Sequence, residues 1–276
     1  REVITPNFDI TPEMLTHTFV LDPETLEPVE PRIWEQGKWV ELKDLELTVK
    51  YIKKAINILK NVGLTPEGVT SPGGFGHKSR DLYSKAVNLA FKEVTDHKIP
   101  YFFQQIKEKE TEVYPEIWYP EREKGRALGE PIATITDKTG SWTGYGERDP
   151  DYYITPDLER GRLPEIIEAG GQGIFISHWQ GFYGLHDKDR GGFKVLKTVV
   201  NRLQERDPDE EQVQWRKVSE IVKYAVARKF ARIDIHKKEL KLNLPVQVPD
   251  FTLEIEGNIN PEQILVDGNP LKPVKN

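Results

Sequence analysis

The chain has 276 residues, with 39 Lys or Arg, 45 Asp or Glu and a net charge of -6 at pH 7. That length buries a sizeable core and fits one large domain with an appendage. The acidic balance without a dominant basic patch argues against a nucleic-acid partner, no apolar run approaches a membrane span, and the lack of cysteine excludes disulfides and thiolate chemistry. Aromatic side chains are plentiful, with 6 Trp and 10 Tyr. Exposed aromatic faces suit carbohydrate rings, although most aromatics in any protein belong to the core. The chain begins at Arg1 rather than Met. A removed export signal is one explanation, and it implies a secreted or periplasmic setting.

In chain order, residues 1–43 are irregular and proline-rich, with Val3-Ile4 as the end of a strand. A long stretch of this kind inside a domain is more often functional than idle. Asp9 and His17 stand in it together. A hard oxygen and an imidazole nitrogen suit a shared metal ion; a turn-capping Asp9 beside a surface His17 is the competing reading. Residues 44–62 carry apolar side chains at Leu45, Val49, Ile52, Ile56 and Leu59, which predicts an amphipathic helix capped by Asp44 and ended by Gly63. Gly68-Val69-Thr70 reads as a brief buried strand. It runs into Ser71-Pro72-Gly73-Gly74-Phe75-Gly76-His77, a tight loop whose backbone can approach a ligand closely. No Gly-Lys-Ser/Thr follows and the dinucleotide glycine spacing is absent, so it is not a phosphate loop. Ser79 is expected to cap a helix over 80–94, and Tyr101-Phe102-Phe103 to form the next strand. Residues 107–130 are charged and turn-rich and read as a long excursion.

Ile132–Thr136 predicts a strand that ends at Asp137, followed by a glycine–aromatic loop, Gly140-Ser141-Trp142-Thr143-Gly144-Tyr145-Gly146. A carboxylate at a strand end followed by Trp is a site candidate, and an Asx turn with a packing Trp is the alternative. A short helix is expected near 162–169. Gly173–Gln180 then places a continuous apolar run, Ile174-Phe175-Ile176, before Ser177, His178 and Trp179. The run suits a strand buried on both faces. Such a strand delivering an imidazole and an indole to its C-terminal mouth is how α/β barrels and open α/β sheets build active sites. A hydrogen-bonded structural His178 is the alternative. Gly191-Gly192 opens a helix with Phe193, Leu196, Val199, Val200 and Leu203 on its apolar face. Val213-Gln214-Trp215 reads as a short strand, and Ser219 as the cap of a helix over 220–230. From 231 the period changes to strand-like alternation in Ala231–Ile235, Glu239–Leu244 and Phe251–Ile255, with a turn at Asp267-Gly268. The strand–helix alternation argues an α/β fold with a mostly parallel sheet over residues 1–230 and an antiparallel β appendage over 231–276.

Three matches, in order, give the chain a resemblance to the polysaccharide deacetylase family over roughly residues 1–228. Ile176-Ser177-His178 resembles the family's hydrophobic-x-His motif. Thr70-Ser71-Pro72-Gly73-Gly74 resembles its Arg-x-Pro-x-Gly groove motif. Val213–Trp215 with Val218–Tyr224 resembles its last strand and helix. The resemblance implies a distorted (β/α) barrel that removes acetyl groups from a sugar or polysaccharide with a divalent metal, zinc among the candidates. His178 would be the general acid. Asp137 would be a second catalytic residue, near the expected Asp-x-x-Asp-Trp motif. Ser71, Pro72, Gly74, Trp142 and Trp179 would contact the carbohydrate, and His17 and Asp9 would hold the metal. The departures bear on chemistry. The groove motif lacks its Arg, the His-x-x-x-His metal motif is reduced to His17, and the early Thr-Phe-Asp-Asp motif is not visible, so ligands recruited from Asp22 or His77 are the fallback. Two other readings stand beside this one. One is a carbohydrate-binding barrel without catalysis. The other is a glycoside hydrolase pairing Asp137 with Glu13 or Asp151.

Overall fold

The computed structural model describes residues 4–36, 43–183, 190–236, 239–254, 256, 265–266 and 268–270. Val3, Gly184, Ile255 and Asp267, each expected to lie in a strand, loop or turn, fall outside the described residues. A single turn, α1 (Ile4–Asn7), precedes the long amphipathic helix α2 (Leu45–Asn61). As expected, Asp44 starts α2, its carboxylate accepting from Leu47 N at 3.0 Å. The helix buries Val49, Tyr51, Ile52, Ala55 and Ile56. Each fully buried large side chain of this kind contributes roughly 1.5–3 kcal/mol. β1 (Gly68–Thr70) and α3 (Arg80–Val94) follow, with Tyr83, Ala86, Val87 and Ala90 turned to the same core. Ser79 stands at the N-cap position of α3, as expected, but its side chain makes no capping hydrogen bond. Ser79 closes a 3-10 turn, His77–Ser79, that Gly76 opens from the left-handed region.

Next come β2 (Tyr101–Phe103), β3 (Gln105–Ile106), β4 (Glu116–Glu121), β5 (Arg126–Glu130) and β6 (Ile132–Ala133). β1, β2 and β5 pair in parallel, and β4 pairs antiparallel at the edge. β3 and β6 carry the same parallel direction onward, and a parallel bridge from Ile135 to Phe175 adds the next segment. The fold is α/β. Among the described residues the strands form no closed ring.

The excursion expected over 107–130 is instead a hairpin, and one of its arms sits inside the sheet. Pro120 and the charges of β4 disguise it, because an edge strand tolerates both. β5 hides behind Gly129, where a Cβ would lie 2.1 Å from Val222 Cγ1. That glycine lets the helix carrying Val222 rest directly on the sheet. At the end of β5, fully buried Glu130 accepts from Arg80, Gln105 and Trp118. Burial raises its carboxyl above the ordinary range against the pull of Arg80.

The remaining helices are α4 (Pro150–Tyr153), α5 (Arg162–Glu168), α6 (Trp179–Tyr183), α7 (Gly191–Arg206) and α8 (Val218–Phe230). A second core joins Ile135, Tyr153, Ile154 and Ile166 to Val195, Val199 and Leu203 of α7. Phe193 was expected on that face but is exposed, and Val195 takes its place. Ile174–Ile176 is half-buried rather than sealed on both faces. Residues 213–215 carry no strand, and Trp215 is exposed. α8 begins before Ser219, and Lys217 N donates to Glu220 at 2.9 Å to close its first turn. β7 (Arg232–His236) and β8 (Glu239–Asn243) pair antiparallel, as do β9 (Leu265–Val266) and β10 (Asn269–Pro270). Residues 251–254 are not a strand; Phe251 packs on Tyr224 at 5.7 Å between ring centroids. No helix among the described residues is long and apolar enough to cross a membrane.

Candidate active site

Two strand ends meet at the C-terminal side of the parallel segments. Thr134 N and Ile135 N donate to Ile174 O at 3.0 and 3.2 Å, and Ile176 N donates back to Ile135 O at 3.2 Å. This parallel ladder runs the two chains side by side, so Asp137 and His178, two residues beyond the last bonds, arrive together. His178 Nδ1 lies 2.7 Å from Asp137 Oδ2. The carboxylate side chain is 8% exposed and the imidazole 45%. An ionised carboxylate only accepts, so the shared proton sits on Nδ1 and leaves the Nε2 edge to take or give a proton. His178 Nε2 has no partner among the described residues.

Asp137 is held from behind. Its other oxygen, Oδ1, accepts from Thr139 N at 2.8 Å and from Thr139 Oγ1 at 2.6 Å. Tyr153 fixes the backbone on both sides of it, accepting from Lys138 N at 2.8 Å and donating to Thr136 O at 3.3 Å. Burial pushes the Tyr153 hydroxyl up to about 12, so it stays protonated as a donor. Next to it, Glu108 accepts from Thr136 Oγ1 at 2.8 Å and from Tyr152 at 3.0 Å. Those two bonds hold its carboxyl below the ordinary range. Thr139 and Tyr153 were missed in the sequence, since nothing in their spacing marks them as supports for Asp137.

Trp142 and Tyr145 on the loop after Asp137 are 68% and 69% exposed, and Trp179, adjacent to His178, is 72% exposed. Trp179 also packs on Tyr183 with 4.3 Å between centroids. Glycines bring the two aromatic segments together. A Cβ on Gly181 would lie 3.0 Å from Thr139 O, and one on Gly192 would lie 2.3 Å from the same atom. The helices that follow His178 therefore rest directly on the backbone that follows Asp137.

The other expected residues divide. Ser71 donates to the Tyr83 hydroxyl at 3.0 Å, and Pro72 O and Gly74 O receive Phe75 N and His77 N. These three shape the turn after β1. Gln36 packs over that turn at Gly73 and also bonds His17 Nδ1, so His17 belongs to the rim beside it. The other ring nitrogen of His17 lies 2.9 Å from Glu13. Asp9 is elsewhere. The chain from Ile10 to Pro12 runs along β1 in the same direction, receiving Glu67 N at Ile10 O and Thr70 N at Pro12 O. Asp9 thus lies at the N-terminal end of β1 and His17 beyond its C-terminal end, separated by roughly 10 Å of strand. Both Asp9 oxygens are taken, by Ser219 N at 2.6 Å and Ser219 Oγ at 2.7 Å. The expected pair is therefore not a shared metal site. Asp9 is the anchor of α8, and Asp9→Ala is expected to cost about 1–2 kcal/mol in urea unfolding without changing the metal content of the purified protein.

Among the described residues no group of three or more His, Asp or Glu is arranged to hold a metal ion. Asp22 caps its own turn at Glu24 N and Thr25 N. The two carboxylates proposed as partners of Asp137 for glycoside hydrolysis are engaged elsewhere, Glu13 with His17 and Asp151 with Arg202 at 2.7 Å. Compared with known proteins, the chain matches no family model, no curated protein and no solved structure.

Proposed function

We propose that Asp137 and His178 form the proton-transfer centre of a hydrolase of the carbohydrate deacetylase type, carried on a distorted (β/α) barrel. The observation that carries this reading is the 2.7 Å contact from a buried carboxylate to a half-exposed imidazole. The parallel segments lying side by side in chain order, with the pair at their C-terminal ends, support the barrel scaffold. Exposed Trp142, Tyr145 and Trp179, on the segments that follow Asp137 and His178 in the chain, support a sugar substrate, whose rings stack on aromatic faces.

In the proposed reaction, water adds to the acetyl carbon as His178 Nε2 takes its proton. The imidazolium, steadied by Asp137, then gives that proton to the departing nitrogen or oxygen as the acyl bond breaks. Acetate and a free amine or hydroxyl leave, and His178 is restored. General acid–base help of this kind contributes about 10²–10⁴-fold in rate. The divalent metal implied by the family resemblance does not fit the Asp9–His17 pair, and every step above runs through Asp137 and His178.

The test is incubation with acetylated chitooligosaccharide and acetylated xylooligosaccharide, reading acetate and new reducing ends together. Acetate without new reducing ends is the expected result. New reducing ends without acetate would move the reaction to glycoside cleavage. Carbohydrate binding without turnover is the second reading, favoured by the same exposed aromatic rings. Retention on immobilised oligosaccharide with neither product released would establish it in place of the hydrolase.

A further inference from the structure

The support behind Asp137 goes beyond the dyad, and the inference drawn from it rests on the hydrolase reading above. We infer that Thr139 is a positioning residue, setting through Asp137 which ring nitrogen of His178 carries the proton. Asp137 has two oxygens with separate tasks. Oδ2 faces His178 Nδ1 at 2.7 Å, and Oδ1 receives both the N–H and the hydroxyl of Thr139, at 2.8 and 2.6 Å. Thr139 is 1% exposed, so its hydroxyl has no water to turn to, and the carboxylate beside it is the acceptor it uses. A carboxylate with one oxygen pinned twice cannot swing about its Cβ–Cγ bond. Its free oxygen therefore stays aimed at the imidazole.

The other half of Thr139 is held as well. Its carbonyl faces Gly181 and Gly192, with room for no side chain between. Thr139 thus joins three elements, the strand end bearing Asp137, the start of α6 just after His178, and the start of α7. An exposed Asx turn would bond Asp137 to the N–H of Thr139 alone. The buried hydroxyl is a further tie, and it acts on the carboxylate that touches the imidazole.

The test compares Thr139→Val, which keeps the shape and removes the hydroxyl, with Thr139→Ser, which keeps the hydroxyl. Thr139→Ala serves as a second hydroxyl-free variant should the Val variant not fold. The full chain is labelled with 15N and the His178 ring nitrogens are read by long-range proton–nitrogen correlation, assigned by their loss in His178→Ala. Wild type and Thr139→Ser are expected to hold the proton on Nδ1. The hydroxyl-free variant is expected to shift toward a mixture of both tautomers. Acetate release by that variant is expected to fall about tenfold in kcat with KM unchanged, the loss of one hydrogen bond to a charged group. His178 nitrogen signals identical in wild type and the hydroxyl-free variant would overturn the inference. If no variant and not even wild type releases acetate, the hydrolase reading fails, while the ring-nitrogen comparison still decides the role of Thr139.

Discussion

His178→Ala is expected to lower acetate release from acetylated oligosaccharide by about 10²–10⁴-fold in kcat, with the folded state retained. The magnitude follows from the geometry. The imidazole is half exposed and takes little part in the core, so its removal leaves no large cavity. The imidazole lost has a carboxylate fixed behind it and, among the described residues, no partner on its Nε2 edge. Asp137→Asn separates orientation from charge. An Asn amide can donate to Nδ1, which turns the ring to the wrong tautomer and takes away the charge that steadies the imidazolium. Its loss in kcat is expected to approach that of His178→Ala, although the imidazole remains. Full activity in His178→Ala would remove the assignment of this pair as the reaction centre.

Gly192→Ala is expected to destabilise the protein by about 1–3 kcal/mol and to disturb the same site from the other side. A Cβ at this position would stand 2.3 Å from Thr139 O and 2.6 Å from Gly181 O. Both atoms are backbone, so neither can turn away as a side chain would. Either α7 lifts off or the Thr139 loop retreats, and Thr139 carries Asp137 with it. Thermal unfolding is therefore expected to start lower, by roughly 2–4 °C for each kcal/mol, and acetate release to fall in the protein that remains folded. Gly173→Ala is the control. Its Cβ would meet Leu163 Cδ2 at 3.4 Å, an ordinary contact with the end of a side chain. A Gly192→Ala protein as stable as the control would show that α7 has more freedom over the loop than its packing implies.

Part of the site could be read along the chain. Apolar spacing placed α2 and α3 almost to the residue, because a helix on a core shows its period in sequence. Asp137 and His178 each stood out as a polar residue following a short apolar run, and Trp142 and Trp179 as neighbours of those ends. The 107–130 hairpin was obscured by its own composition. β4 lies at an edge and tolerates Pro120, while Gly129 of β5 has no side chain to report its burial. The Asp9–His17 pairing failed for a different reason. Eight positions apart in a proline-rich stretch looks close, but the chain between them runs the length of β1.

The sequence by itself determined the α/β class, the main helices, and which apolar runs end in polar side chains, since all of these follow from local periodicity and residue type. Only the tertiary structure decided which ends meet. That Asp137 touches His178, 41 residues further on, depends on the register between Ile135 and Ile174–Ile176. That Thr139 and Tyr153 hold Asp137 in place depends on burial and on glycines that let helices reach the backbone. Register and close approach are properties of two segments at once. Neither segment shows them alone.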